Sequence, residues 1–163
     1  MTDPEKPDEQ ANWCRRFASS ANNRAWTLSE QEKRTATEDQ EMLHAAHAAA
    51  YLWQQVGTEH HAAVAQLLLG QVHALLGNAH LAQTYALGAH QYFLGRDSEA
   101  WETALSHVVM ANAACCSGQS APHHEHYRLA VGLIEALADP QDKSILMASL
   151  RVVPVPQASG ALT

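Results

Sequence analysis

Histidine is the side chain through which this sequence could do chemistry: eleven of its 163 residues are His. Imidazole titrates near neutral pH and, when neutral, offers a lone pair to a metal. Seven histidines (His44, His47, His60, His61, His73, His80 and His90) fall between residues 42 and 95, where Glu59 is the only formally charged residue. Protonating all eleven would carry the net charge from −7 to +4. The sharpest cluster is Glu41-x-x-His44-x-x-His47, with Tyr51 one turn further on. Residues three apart on a helix are neighbours, so Glu41 faces His44 and His44 faces His47. Two histidines and a carboxylate suit zinc or ferrous iron with positions left for water or substrate. Glu41, His44 and His47 are therefore the expected ligands of a mononuclear site, completed by His73 or His107 from another helix. A dinuclear carboxylate site needs a second Glu-x-x-His, and no other glutamate has a histidine three residues later. His123-His124-Glu125-His126 and His60-His61 read as exposed pairs able to hold a metal only adventitiously.

The same residues support a second reading, without catalysis or cofactor. An uncharged centre suits an interface, whose core is depleted of charge. His44, His47, Tyr51, His73 and His107 are then expected to line a groove for a peptide, a protein or a second copy of the chain. Trp26, following Asn22-Asn23-Arg24-Ala25 near a helix end, extends that groove, and Arg24 supplies a contact for an anion or carboxylate. The sequence contains no nucleophilic triad, phosphate loop or dinucleotide fingerprint, and its glycines are too dispersed to cradle a phosphate. An enzyme is the lesser expectation.

Helices must position these groups. Hydrophobic residues make up 47% of the chain, many of them alanine, the strongest helix former, and no segment alternates apolar and polar residues with the period of a strand. Gly57, Gly77, Gly95, Gly118 and Pro140 fall as a row of helix stops, and connections this short force sequential helices to lie antiparallel. The expected fold is all-α, with about seven helices in antiparallel hairpins. Residues 1–8 read as a flexible tail, 9–150 as one helical domain, and 151–163 as an extended or disordered tail. The first helix is expected from about Glu9 to Ala25, burying Cys14, Phe17, Ala18, Ala21 and Ala25. Its successor begins near Glu38, behind capping boxes Thr27…Glu30 or Thr37…Gln40. The fourth helix is expected to bury Leu81, Tyr85, Ala89 and Tyr92. Ser98 is expected to cap the fifth and Asp139-Pro140 to open the seventh. Trp13, Trp53 and Trp101 are placed as core anchors.

Residues 63–96 resemble a tetratricopeptide repeat. Leu69-Gly70, Gly77, Ala82, Tyr85 and Ala89 stand at that family's spacing, with His73 where a large aromatic is usual, Gln66 where Trp is common, and Leu94 in place of the terminal proline. The following hairpin aligns only through a longer repeat, with Ala111 at the small position. The resemblance implies a right-handed stack of hairpins whose concave face, lined by the first helix of each pair, binds peptides or proteins; a plain helical bundle is the alternative. The block from Ala21 to Trp26 with Glu41 to Ala50 is also similar to small bacterial helical proteins that have no assigned activity.

Ten Lys and Arg against 17 Asp and Glu leave no basic patch, so nucleic acid is not an expected partner. No apolar run approaches the roughly 20 residues of a membrane span, and no apolar segment of a leader follows the initial Met-Thr-Asp-Pro-Glu-Lys. The three cysteines lack metal or redox spacing and fit a reducing, cytoplasmic setting. The leading expectation is a non-catalytic helical-repeat binding module; the alternative is a small helical zinc or iron protein.

Overall fold

The computed structural model describes residues 6–157. They form seven helices, with no strand among the described residues: α1 Lys6–Ser29, α2 Ala36–Val56, α3 Glu59–Leu75, α4 Ala79–Leu94, α5 Ala100–Cys116, α6 Ser120–Glu135 and α7 Pro140–Arg151. The expected all-α hairpin fold is observed. Of the two expected tails, residues 1–5 and 158–163 lie outside the described residues. Of the described parts, residues 6–8 belong to the first turn of α1, which starts at Lys6. At the other end Val153 is buried and His123 Nε2 donates to the Pro154 carbonyl at 2.7 Å.

Two of the glycine stops act through left-handed backbone. Gly77 and Gly118 have φ of 77° and 68°, a region that costs a side-chain-bearing residue energy. Each closes its helix the same way. Asn78 N–H reaches back to the His73 carbonyl and Gly77 N–H to Ala74; Gln119 N–H reaches Ala114 and Gly118 N–H reaches Cys115. This paired pattern satisfies carbonyls that a helix end leaves bare.

The two hairpins so formed are copies in length. Helices α3 and α5 both have 17 residues, α4 and α6 both have 16, and the second hairpin starts 41 residues after the first, at Ala100 rather than Glu59. Helix α1 pairs with α2, α3 with α4 and α5 with α6, while α1, α3, α5 and α7 touch in succession. Gly70 lies where α3 meets both α4 and α5. A Cβ there would stand 2.9 Å from Val109 Cγ1 and 3.0 Å from the Ala86 nitrogen. Gly70→Ala should therefore destabilise the chain by up to about 2 kcal/mol, because overpacking of about 1–3 kcal/mol outweighs the roughly 1 kcal/mol gained in helix propensity. Gly132, in α6, has open space around it, so Gly132→Ala should stabilise by about 0.5–1 kcal/mol. Urea unfolding of the two variants checks the opposite signs.

The core has two parts. One lies among α1, α2 and α3 around Leu28, Met42, Leu68 and Val72; the other runs from α3 to α7 around Leu67, Phe93, Val108 and Ile134. Several local expectations are corrected. Helix α1 buries Ala18, Ala25 and Leu28, whereas Phe17 is 59% and Trp13 49% exposed; those two aromatic rings stack on each other instead, 5.8 Å apart. Helix α4 packs through Ala82, Ala86, Ala89 and Phe93, leaving Leu81 exposed. The small face wins because helix axes come closest where alanine and glycine meet. Helix α1 runs on to Ser29, and α2 is capped by Thr35, whose Oγ1 accepts from Glu38 N–H while Glu38 returns to the Thr35 N–H. This box displaces both expected ones. At α5 the cap is Glu99, with Glu102 accepting its N–H; Ser98 instead donates to the Phe93 carbonyl and finishes α4. Asp139 caps α7 with Pro140 in its first turn, as expected.

Candidate functional site

Helix α3 is the floor of a cleft whose walls are α2 and α4. His47, Ala50, Tyr51 and Gln54 line it from α2, Ala62, Ala65, Gln66 and Leu69 from α3, and Tyr85 from α4, around a volume of about 230 Å³. None of these residues carries a formal charge. The small residues open the space, since Ala50, Ala62 and Ala65 withhold the side chains that would fill it. Gln66 crosses to α4 at Gly88, where an added Cβ would come within 2.8 Å of its amide oxygen. Tyr51 projects from the rim, 64% exposed.

Behind the cleft sits His73, only 3% exposed. Its ring stacks on Tyr85 with centroids 5.7 Å apart and planes 11° from parallel, and meets His47 edge-on at 5.4 Å. Burial, and secondarily the nearby His47, hold the His73 pKa below the ordinary histidine range, so the ring is neutral. Its Nδ1 lies 3.2 Å from the Asn78 side-chain nitrogen. That amide nitrogen can only donate, so Nδ1 accepts and the proton is on Nε2, which has no partner. His73 thus braces two cleft side chains without lining the cleft.

The residues expected at a groove are divided by the fold. His47 and Tyr51 share the cleft, and His73 touches its wall. His44 is exposed on α2 and takes no part in the lining. Arg24 is engaged elsewhere: its guanidinium grips Glu41 through Nε–Oε1 at 2.6 Å and Nη2–Oε2 at 3.0 Å. Trp26 is half-buried against both parts of the core. His107 lies on α5 beside α4 and α6, remote from His47 in the pairing order. Gln54, Gln66, Leu69 and Tyr85 were not anticipated as site residues; Gln66, the one polar side chain in the run from Ala62 to Gly70, was the available signal.

The expected metal set also fails to assemble. Among the described residues, Glu41, His44 and His47 do not form a group of converging ligand atoms. Six helical positions separate Glu41 from His47 by about 9 Å of axial rise, and Arg24 already neutralises the carboxylate. That hydrogen bond lowers the Glu41 pKa. His123 is equally committed, to Pro154. Among the described residues no helix is long and apolar enough to cross a membrane, and all three cysteines are free and partly buried.

His47 is the one imidazole in the lining, and no carboxylate or thiol accompanies it. What the cleft offers is two tyrosine rings with their phenols, two amides and an imidazole around apolar floor atoms. No family model, curated protein or solved structure matches the chain.

Proposed function

We propose that the protein is a non-catalytic binding module that takes an uncharged polypeptide segment into the cleft over α3. The observation that carries this reading is the lining itself: Gln54 and Gln66 beside Tyr51 and Tyr85, with no charged side chain. Amides both donate and accept, which matches the alternating groups of a peptide backbone. Aromatic faces take apolar side chains at low entropic cost, and their polar tips find a partner at a wet edge. A phosphate or carboxylate ligand would find no cation here.

The tetratricopeptide-like reading supports a binding role and is kept as part of the proposal. Successive contact among α1, α3, α5 and α7 is what a stack of hairpins produces. The cleft, however, opens between the second helices of two pairs, α2 and α4, rather than on the face where first helices meet. A second copy of the chain, through Tyr51, is an alternative occupant.

Selection of short peptides from a random library on the full chain tests the proposal. Selected peptides should be poor in Asp, Glu, Lys and Arg, and their affinity should fall at least about tenfold for Tyr51→Ala, the loss of about 1.4 kcal/mol expected from one exposed anchor. Peptides that bind Tyr51→Ala and Gln66→Ala as well as the parent would defeat it, as would a concentration-dependent dimer that Tyr51→Ala abolishes and no peptide competes.

A further inference from the structure

The 41-residue offset between the hairpins carries the cleft's Gln66 and Tyr85 onto His107 and His126. The position equivalent to the open cleft is therefore occupied by imidazoles. His90 from α4, His107 from α5 and His126 from α6 bring one ring nitrogen each to within 4.8 Å of one another, with His90 and His107 buried and His126 half-buried. The Nδ1 atoms of His107 and His126 face each other at 2.9 Å.

The protons on these rings can be placed. Ser106 Oγ donates to the Thr103 carbonyl at 2.8 Å, a group that can only accept. The 2.9 Å bond between Ser106 Oγ and His90 Nδ1 must then run from the ring to the hydroxyl. His90 is thereby fixed with its proton on Nδ1 and its lone pair on Nε2. Such an outward hydrogen bond is how a metal-binding imidazole is oriented. Between His107 and His126 one Nδ1 donates and the other accepts. If an ion took both lone pairs, the donor ring would carry its proton on Nε2 instead.

We propose that His90, His107 and His126 form a divalent transition-metal site, of the zinc class, with His90 Nε2, His107 Nδ1 and His126 Nδ1 as ligands. Bonds of about 2.0–2.1 Å in tetrahedral geometry place ligand nitrogens about 3.3 Å apart, so the triad needs only small ring movements to close on an ion. Three imidazoles and no carboxylate suit zinc, copper, nickel or cobalt, and exclude calcium and magnesium, which want oxygen. Burial keeps the His90 and His107 rings neutral, each with its pKa lowered to about 4, so no proton competes with the ion at neutral pH. The fourth position, on the side of the half-exposed His126, is left to water or a small ligand. This site is independent of the peptide cleft.

Titration of the full, untagged, metal-stripped chain with Co²⁺ and Zn²⁺ tests it. One equivalent of Co²⁺ should produce the intense visible bands of a four-coordinate ion, and one equivalent of Zn²⁺ should bleach them. His107→Ala and His126→Ala should each weaken binding by about 100-fold or more, and Ser106→Ala, which frees only the positioning bond, by about tenfold. His44→Ala and His124→Ala, exposed and outside the triad, should bind as the parent does. Should a ligand variant fail to fold, imidazole ¹⁵N spectra of the parent decide: Zn²⁺ must shift His90, His107 and His126 before any other histidine. No four-coordinate spectrum, or one that persists in His107→Ala, overturns the proposal, as does a first shift at His60, His61 or His124.

Discussion

Metal-free protein should lose about 4 kcal/mol of stability between pH 7.5 and pH 5, with about 2 kcal/mol from each of His90 and His107. The sign follows from where the proton binds. In the unfolded chain both rings titrate near the ordinary 6.5, whereas in the fold burial lowers each to about 4, with neighbouring histidines adding to the effect. Below pH 6.5 the unfolded state therefore takes up protons that the native state refuses. Stability is full above 6.5, falls through the window from 6.5 to about 4, and levels off beneath it. His73 and His126 shift the same way, chiefly through burial. Glu30, raised by burial, opposes them only where carboxylates titrate. For a chain of this size the loss corresponds to a fall in Tm of about 8–16 °C. Thermal unfolding in chelator at several pH values measures it, and the His90→Gln, His107→Gln double variant should flatten the curve. A parent whose Tm is constant from pH 7.5 to 5 would show that these rings are hydrated in the native state.

Asn112→Leu should destabilise the chain by about 2–4 kcal/mol, the cost of leaving a buried amide without its partner. Gln71 is fully buried on α3, and its Oε1 accepts from Asn112 Nδ2 at 3.0 Å; its Nε2 has no partner already. Removing Asn112 strips the remaining bond from an amide that water cannot reach. Replacing both residues with apolar side chains, Gln71→Met with Asn112→Leu, should recover most of the loss, because neither polar group is then left behind. The double-mutant cycle should show a coupling of about 1–3 kcal/mol, read from urea unfolding. Additive losses would mean that the two amides do not stabilise one another. The pair occupies equivalent places in the two hairpins, 41 residues apart, so its bond ties α3 to α5 in register.

The hairpin rhythm was legible because it is written locally. Gly77 and Gly118 stand where only glycine relieves a left-handed turn, and Asp139-Pro140 supplies α7 with both a side-chain cap and a first-turn proline. Helix faces were less legible. In α1 and α4 the larger apolar side chains suggested a buried stripe, yet the fold turned the alanine face inward so that axes could approach. The end of α1 was misplaced because Thr27–Ser29 reads as polar, although Leu28 anchors that turn in the core.

The site was legible only in part, for a different reason. His47 and Tyr51 share one helix, and their spacing announces a common face. Tyr85 and Gln66 join them through the packing of three helices. Glu41 and His44 satisfied the same local rule, but Arg24 and simple axial distance removed them. His90, His107 and His126 lie on three separate helices with no local motif. Their convergence becomes visible only once the second hairpin is laid over the first, where His107 and His126 replace an amide and a phenol.

The binding reading is tested most directly by amide chemical-shift mapping on the full chain, using an uncharged peptide selected against it. The perturbed residues should centre on His47, Tyr51, Gln54, Gln66 and Tyr85, with His73 responding behind them. Shifts centred on the Arg24–Glu41 surface, or on α6 and α7, with the cleft unmoved, would contradict it.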